Sequence, residues 1–222
     1  MTDPEVFRDV DAVLFDLDGT LADTFADLQA AVNHLRALRG LPPLPMSLVM
    51  DQIGHGAAAL LAGTLGPRTP ERVAADLEGF RTYYGAHLLD ETKPYPGAVD
   101  AVARLAGRRR AVLSNKPEAM TRVIVEALGF APHLDGAWGG DSFPTMKPDP
   151  APIVTVLERL GVATGRALMV GDSDVDILAA ARAGVRSIRV RTGLWQGCRL
   201  VPDAEVEDLR ELAERLDSAS PR

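Results

Sequence analysis

A short apolar run, Ala12-Val13-Leu14-Phe15, stops abruptly at Asp16. Bounded by polar residues and too short for a helix, it predicts a buried β-strand. Apolar residues then recur at Phe25, Leu28, Val32, Leu35 and Leu38, the spacing of one helical face. Asp23 or Thr24 supplies its N-cap and Gly40 its stop. Pro42, Pro43 and Pro45 make a stiff connection, after which a short helix is predicted from Ser47 to near Gly54. Another covers 57–65, and a fourth starts on the cap pair Thr69-Pro70 and runs through Val73, Leu77 and Phe80. Tyr83 and Tyr84 are expected to pack inside this block. Nothing between residues 22 and 90 has strand character, so the stretch reads as all-helical.

The pattern changes after Pro94-Tyr95-Pro96-Gly97. A helix over 98–105 leads to a strand at 111–113, then a helix over 118–128 stopped by Gly129, and Trp138-Gly139-Gly140 marks a brief strand end. A helix at 151–160, a strand at 167–170, a helix at 175–183 closed by Gly184 and a strand at 187–190 follow. A closing helix over 208–216 precedes a frayed tail, 218–222. Short apolar strands alternating with helices define βαβ units and a parallel sheet. The expected architecture is therefore a doubly wound, Rossmann-like α/β core made of residues 1–21 and 93–222. An all-helical domain, 22–92, interrupts it after the first strand.

Composition narrows the function more than the fold. With 222 residues, 46% hydrophobic and 25% charged, the chain can bury a core without disulfides. A net charge of −7, with no basic run longer than Arg108-Arg109-Arg110, argues against nucleic-acid binding. That run reads as a solvated turn between helix and strand. The single Cys198 has no disulfide partner and no companions for a zinc site, so it reads as a partly buried thiol. No stretch approaches the ~18 apolar residues of a membrane span, and residues 1–10 lack a signal-peptide core. A cytoplasmic protein, monomer or homodimer, with neither membrane nor nucleic acid as partner, is expected.

In an open parallel sheet, ligands bind beyond the carboxyl ends of the strands, so the residue after each strand is informative. Those positions hold Asp16-Leu17-Asp18-Gly19-Thr20, Ser114-Asn115-Lys116 and Gly171-Asp172-Ser173-Asp174-Val175-Asp176, with Lys147-Pro148 in the loop before a later helix. Carboxylates crowded at one rim repel one another, and a divalent cation is the natural compensation. Asp16 and Asp18, two apart on extended backbone, lean to the same side. One can remain ionised as a nucleophile while the other carries a proton to and from a leaving group. Gly19 allows the tight exit from the strand. Asp172 adds a hard oxygen suited to Mg²⁺, Ser114 and Asn115 offer polar groups to phosphate oxygens, and Lys147 adds positive charge against a phosphoryl group in transfer.

Other readings of the acids fail on spacing. A calcium loop begun at Asp16 would need Gly and Glu where Leu21 and Asp27 stand, and one begun at Asp172 meets Ile177 and Ala183. Gly54-His55-Gly56 lacks the ending of a P-loop. Asp23 and Asp174 read as caps of turns or helices.

Taken in order, Asp16-Leu17-Asp18-Gly19-Thr20-Leu21, Ser114-Asn115-Lys116, Lys147-Pro148 and Gly171-Asp172-Ser173 with Asp176 resemble the four motifs of the haloacid dehalogenase-like hydrolase superfamily. The helical block resembles that superfamily's cap domain. The resemblance implies that Asp16 is the nucleophile, forming an aspartyl-phosphate, and Asp18 the general acid/base. It implies that Mg²⁺ is held by Asp16, the Asp18 carbonyl and Asp172, with Asp176 behind them, and that Ser114 and Lys147 steady the phosphoryl oxygens. Gly19, Thr20 and Asn115 join the substrate-binding set. Within the superfamily, Pro94-Tyr95-Pro96-Gly97, Gly139-Gly140-Asp141, Lys147-Pro148-Asp149-Pro150 and the loop Ile53-Gly54-His55-Gly56 resemble the phosphoglycolate phosphatase group. The segment Arg191-Thr192-Gly193-Leu194-Trp195 departs from it.

The expected substrate is thus a small phosphorylated metabolite, 2-phosphoglycolate first. A sugar phosphomutase, a pyrophosphatase and a non-catalytic regulatory relative are the alternatives; Asp18 argues against a dehalogenase. His55 has two readings, a substrate contact through Gly54 and Gly56 or an ordinary loop histidine, whereas His34, His87 and His133 read as surface or packing residues. Only three of the 24 Lys and Arg residues are lysines: Lys93, Lys116 and Lys147. Lys147 suits a compact ammonium against a phosphoryl oxygen and an aspartate, where a broad guanidinium would not fit. Lys116 is assigned to the geometry of its loop.

Overall fold

A computed structural model of the chain describes residues 4–67 and 69–219. Two compact units emerge: residues 1–22 with 94–222, and residues 23–93. Of the expected frayed tail, 220–222 lie outside the described residues, while 218 and 219 belong to the last helix.

In chain order, the first strand is β1 (Ala12–Phe15) and a two-residue strand, β2 (Ala22–Asp23), follows it. Four helices come next: α1 (Phe25–Leu38), α2 (Met46–Met50), α3 (Gly56–Leu65) and α4 (Pro70–Ala86). The chain continues through β3 (Lys93–Pro94), α5 (Ala98–Arg104), β4 (Arg109–Leu113), α6 (Glu118–Ala127) and β5 (Gly136–Trp138). It closes with α7 (Ala151–Leu160), β6 (Ala167–Gly171), α8 (Asp174–Ala183), β7 (Arg186–Val190), β8 (Ala204–Val206) and α9 (Leu209–Ala219).

Six strands form one sheet in the order β5-β4-β1-β6-β7-β8, every pair parallel. The order runs one way from β1 through β4 to β5 and the other way from β6 to β8. Right-handed crossovers in opposite directions put helices on opposite faces, so β1 lies at the switch point where such sheets bind ligands. β1 and β6 are buried along their whole length, which is why they read as continuous apolar runs. On one face Leu14, Leu113 and Met169 pack with Ile153, Val156 and Leu157 of α7 and Ala179 and Ala180 of α8. Each large aliphatic side chain so buried contributes about 2 kcal/mol.

In the second unit Leu28, Val32 and Leu35 of α1, Leu60 and Leu61 of α3, and Phe80 and Tyr84 of α4 are buried. The Thr69 hydroxyl caps α4 by accepting from Arg72 N at 3.4 Å. Asp27, nearly inaccessible at 2% exposure, accepts hydrogen bonds from Glu91 N, Thr92 N and the Thr92 hydroxyl at 2.7–3.1 Å. It ties the start of the helical block to its end.

Several expectations need correction. A strand does occur between residues 22 and 90: β2 pairs with β3 where the chain leaves and re-enters the first unit. Two residues are too few to carry an alternating pattern. Arg109 and Arg110 belong to β4, not to a turn: at the start of the strand the Arg109 side chain reaches Asp135 and the Arg110 backbone N donates to the same carboxylate. The short helix after the proline run ends at Met50, and Gly54 lies in the following turn. Tyr84 is buried, but Tyr83 is only half-buried, stacked between His34 and His87 with ring centroids 3.9 and 4.3 Å apart.

Candidate active site

The register of the sheet builds the site. Phe15, the last residue of β1, pairs with Val112 on one side and Val170 on the other. Asp16 therefore emerges beside Ser114, which follows β4, and beside Asp172, which follows β6. Asp16, Asp172 and Asp176 present carboxylate oxygens within 4.8 Å of one another, all three buried. Lys147 Nζ reaches into this group, 2.6 Å from Asp176 Oδ1 and 3.0 Å from Asp16 Oδ1, with its own side chain only 2% exposed.

Each carboxylate is held from a different element. Asp172 accepts from the Thr20 hydroxyl at 3.0 Å and from Leu194 N at 2.6 Å. Asp176 accepts from Lys147, from Ser173 N at 3.3 Å and from the Ser173 hydroxyl at 2.7 Å. Asp18 is paired with Lys116, Nζ to Oδ1 3.0 Å. Gly19, at φ +84°, donates to the Ala22 carbonyl at 2.8 Å and closes the turn after Asp18. Its own carbonyl accepts from the Thr192 hydroxyl at 2.6 Å.

Electrostatics follow from burial. Loss of solvent, with the Asp176 and Asp18 carboxylates adding to it, raises Asp16 to about 6 against the opposing pull of the Lys147 ammonium. Burial also drives Asp172 well above the ordinary carboxylate range, with Asp176 and Asp16 adding to the effect. Burial alone would lower Lys147, but Asp16 and Asp176 outweigh it and hold the ammonium above its usual range. The site sets four carboxyl groups against two ammonium groups, so full ionisation would leave two negative charges uncompensated.

That imbalance, with an all-oxygen donor set, fits a hard divalent cation. Asp16 Oδ1 meets the Lys147 ammonium off hydrogen-bond geometry and makes no hydrogen bond among the described residues, so it keeps acceptor capacity for an ion.

Asp16, Asp18, Thr20, Ser114, Asn115, Lys147, Asp172 and Asp176 all belong to this first unit. Ser114 is buried, its hydroxyl accepting from Lys116 N at 3.3 Å. Asn115 Nδ2 donates to the Lys147 carbonyl at 2.7 Å, so one amide proton fixes the lysine loop. Thr20 serves Asp172. Gly54, His55 and Gly56 lie in the second unit, where exposed His55 immediately precedes α3.

Sequence reasoning missed the segment after β7. Leu194 N grips Asp172, Gly193 lies where a Cβ would come within 2.1 Å of Asp172 Oδ2, and Cys198 Sγ donates to the Asp172 carbonyl at 3.2 Å. Burial pushes that thiol up to about 11, so it is inert as a nucleophile at neutral pH. The signal was available: the segment follows the carboxyl end of a parallel strand. The Lys116–Asp18 pair was also missed.

These features define a class. Residues 10–184 match the haloacid dehalogenase-like hydrolase family, and the chain belongs to it. A phosphoglycolate phosphatase of Agrobacterium fabrum is 37% identical over 211 residues, covering 91% of each chain. Phosphoglycolate phosphatase 1 of Pseudomonas aeruginosa is 36% identical, over 94% of this chain and 80% of its own. A crystal structure of a predicted phosphoglycolate phosphatase from Haemophilus somnus superposes with a TM-score of 0.85 at 29% identity, over 93% and 97% of the two chains. No helix among the described residues is long and apolar enough to cross a membrane.

Proposed function

We propose that the chain hydrolyses a small phosphomonoester, 2-phosphoglycolate first, in a Mg²⁺-dependent reaction through an aspartyl-phosphate on Asp16. The observation that carries the reading is the buried cluster of Asp16, Asp172 and Asp176 around the Lys147 ammonium. The named activity of the relatives supports the choice of ester.

Asp16, the carbonyl of Asp18 and Asp172 would hold Mg²⁺, with Asp176 behind them. When bound, the ion would supply positive charge against the charge of the transferring phosphoryl group. An Asp16 oxygen attacks phosphorus as the ester P–O bond breaks, and Asp18 gives its proton to the departing oxygen. Water then attacks the same phosphorus, Asp18 takes the proton back, and the Asp16–phosphorus bond breaks to release phosphate. Lys147 and the Ser114 hydroxyl balance charge on the transferring group. Thr20 and Leu194 N fix the Asp172 carboxylate, and Asn115 fixes the lysine loop.

The helical unit, 23–93, is proposed as the family's cap, and Gly54, His55 and Gly56 as its candidate substrate-binding residues. The deciding assay is phosphate release from 2-phosphoglycolate, pyrophosphate, sugar phosphates and nucleoside monophosphates, with and without Mg²⁺. Release from 2-phosphoglycolate only when Mg²⁺ is present is expected. Failure to release phosphate from every ester, or full activity in chelator, refutes the reading.

A further inference from the structure

Lys116 has a buried ammonium, 3% exposed, that the mechanism above leaves without a task. Removing an ammonium from water costs several kcal/mol unless a well-placed partner compensates. The partner is Asp18, at 3.0 Å, itself only 13% exposed. The loop does not need this pair to hold its shape. The Lys116 carbonyl accepts from Gly140 N at 2.8 Å and from the Thr121 hydroxyl at 3.4 Å, and Lys116 N donates to Ser114 Oγ at 3.3 Å. Gly139 closes the arrangement, since a Cβ there would lie 2.5 Å from the Lys116 carbonyl and 2.2 Å from Glu118 N. The backbone is thus clamped on its own account while the side chain spends its charge on Asp18. The two lysines of the site divide the two aspartates of the first motif: Lys147 serves Asp16, and Lys116 serves Asp18.

We infer that Lys116 is a positioning residue: its ammonium holds Asp18 Oδ1, so the carboxyl is turned with Oδ2 left to carry the proton that reaches the leaving oxygen. The inference rests on the reading of Asp16 as nucleophile and Asp18 as acid/base. In that step the Asp16–phosphorus bond forms, the ester P–O bond breaks, and the Asp18 proton moves to the departing oxygen. An aliphatic alkoxide needs that proton, whereas a nitrophenolate leaves without it. Lys116 therefore matters for one class of ester and little for the other.

The test compares kcat/KM for 2-phosphoglycolate and for 4-nitrophenyl phosphate in wild type, Lys116→Met, Lys116→Gln and Lys116→Arg. The ratio of the two constants within one preparation cancels any difference in folded fraction. For the neutral variants we expect a loss on the order of 100-fold with 2-phosphoglycolate and less than about tenfold with the aryl ester. Lys116→Arg, which keeps the charge, is expected to recover part of the aliphatic rate. Equal losses on both esters, or no loss on either, overturn the inference. A wild type that turns over neither ester overturns the proposed function instead.

Discussion

Gly193 is remote in sequence from the first acidic motif, yet the fold makes it part of the wall of the carboxylate cluster. Its φ is +53°, and a Cβ built there would stand 2.1 Å from Asp172 Oδ2, 2.6 Å from Gly19 Cα and 2.7 Å from the Gly19 carbonyl. In Gly193→Ala, ordinary van der Waals contact at roughly 3.4 Å would require Oδ2 to retreat by more than about 1 Å and the Gly19 backbone by nearly as much, about 0.7–0.8 Å. The carboxylate is the softer obstacle, but moving it breaks the bonds from Leu194 N at 2.6 Å and Thr20 Oγ1 at 3.0 Å. An alanine at positive φ costs a further 1–2 kcal/mol, roughly. Loss of a ligand's supporting hydrogen bonds lowers metal affinity by about 10–100-fold, and a displacement near 1 Å in a reacting site costs on the order of 100-fold in rate. The assay is phosphate release from 2-phosphoglycolate across a Mg²⁺ titration. A higher Mg²⁺ requirement and a lower kcat are expected. A variant with the wild-type Mg²⁺ dependence and kcat would refute the claim that this segment holds Asp172.

Three further outcomes follow from individual contacts. Lys147→Arg should lower kcat by about 100-fold, because a planar guanidinium cannot fill the 2%-exposed niche between Asp16 and Asp176; steady-state kinetics decide it, and a fully active variant contradicts the reading. In metal-free protein the folded Asp16 titrates near 6 rather than 3.8, so the folded state binds more protons between those values and stability falls as pH rises through them. That interval is worth about 3 kcal/mol, Asp172 moves in the same direction, and Mg²⁺ should restore stability at pH 7; a flat urea-unfolding profile from about pH 4.5 to 7.5 in chelator would count against it. Asp27→Ala leaves the amides of residues 91 and 92 without their acceptor and should cost about 2–3 kcal/mol of stability; a change below about 0.5 kcal/mol in urea unfolding rules the clasp unimportant.

What was legible in the sequence was what local chemistry writes locally. The β1 and β6 runs show as uninterrupted apolar residues because both faces are covered, and α1 and α4 show by their helical stripe and by the Thr69 cap. Asp16 and Asp172 were visible because each follows such a strand. β2 and β3 were not, since two residues carry no period and their pairing is a contact across some 70 residues of chain. The three-residue β8 escaped for the same reason. Gly193, Leu194 and Lys116 act through backbone approach and through one long-range ion pair, and neither leaves a pattern in neighbouring residues. Asn115 adds a contact that sequence spacing does not carry: its Nδ2 donates to the Lys147 carbonyl, 32 residues away.

The proposed reaction passes phosphate through a covalent bond to Asp16, and rapid-quench peptide mapping of the protein mixed with 2-phosphoglycolate and Mg²⁺ reads that bond. A transient acyl phosphate on the peptide containing Asp16, absent from Asp16→Asn, is expected. Turnover by wild type with no phosphoryl-enzyme, or with phosphate on another residue, would contradict it.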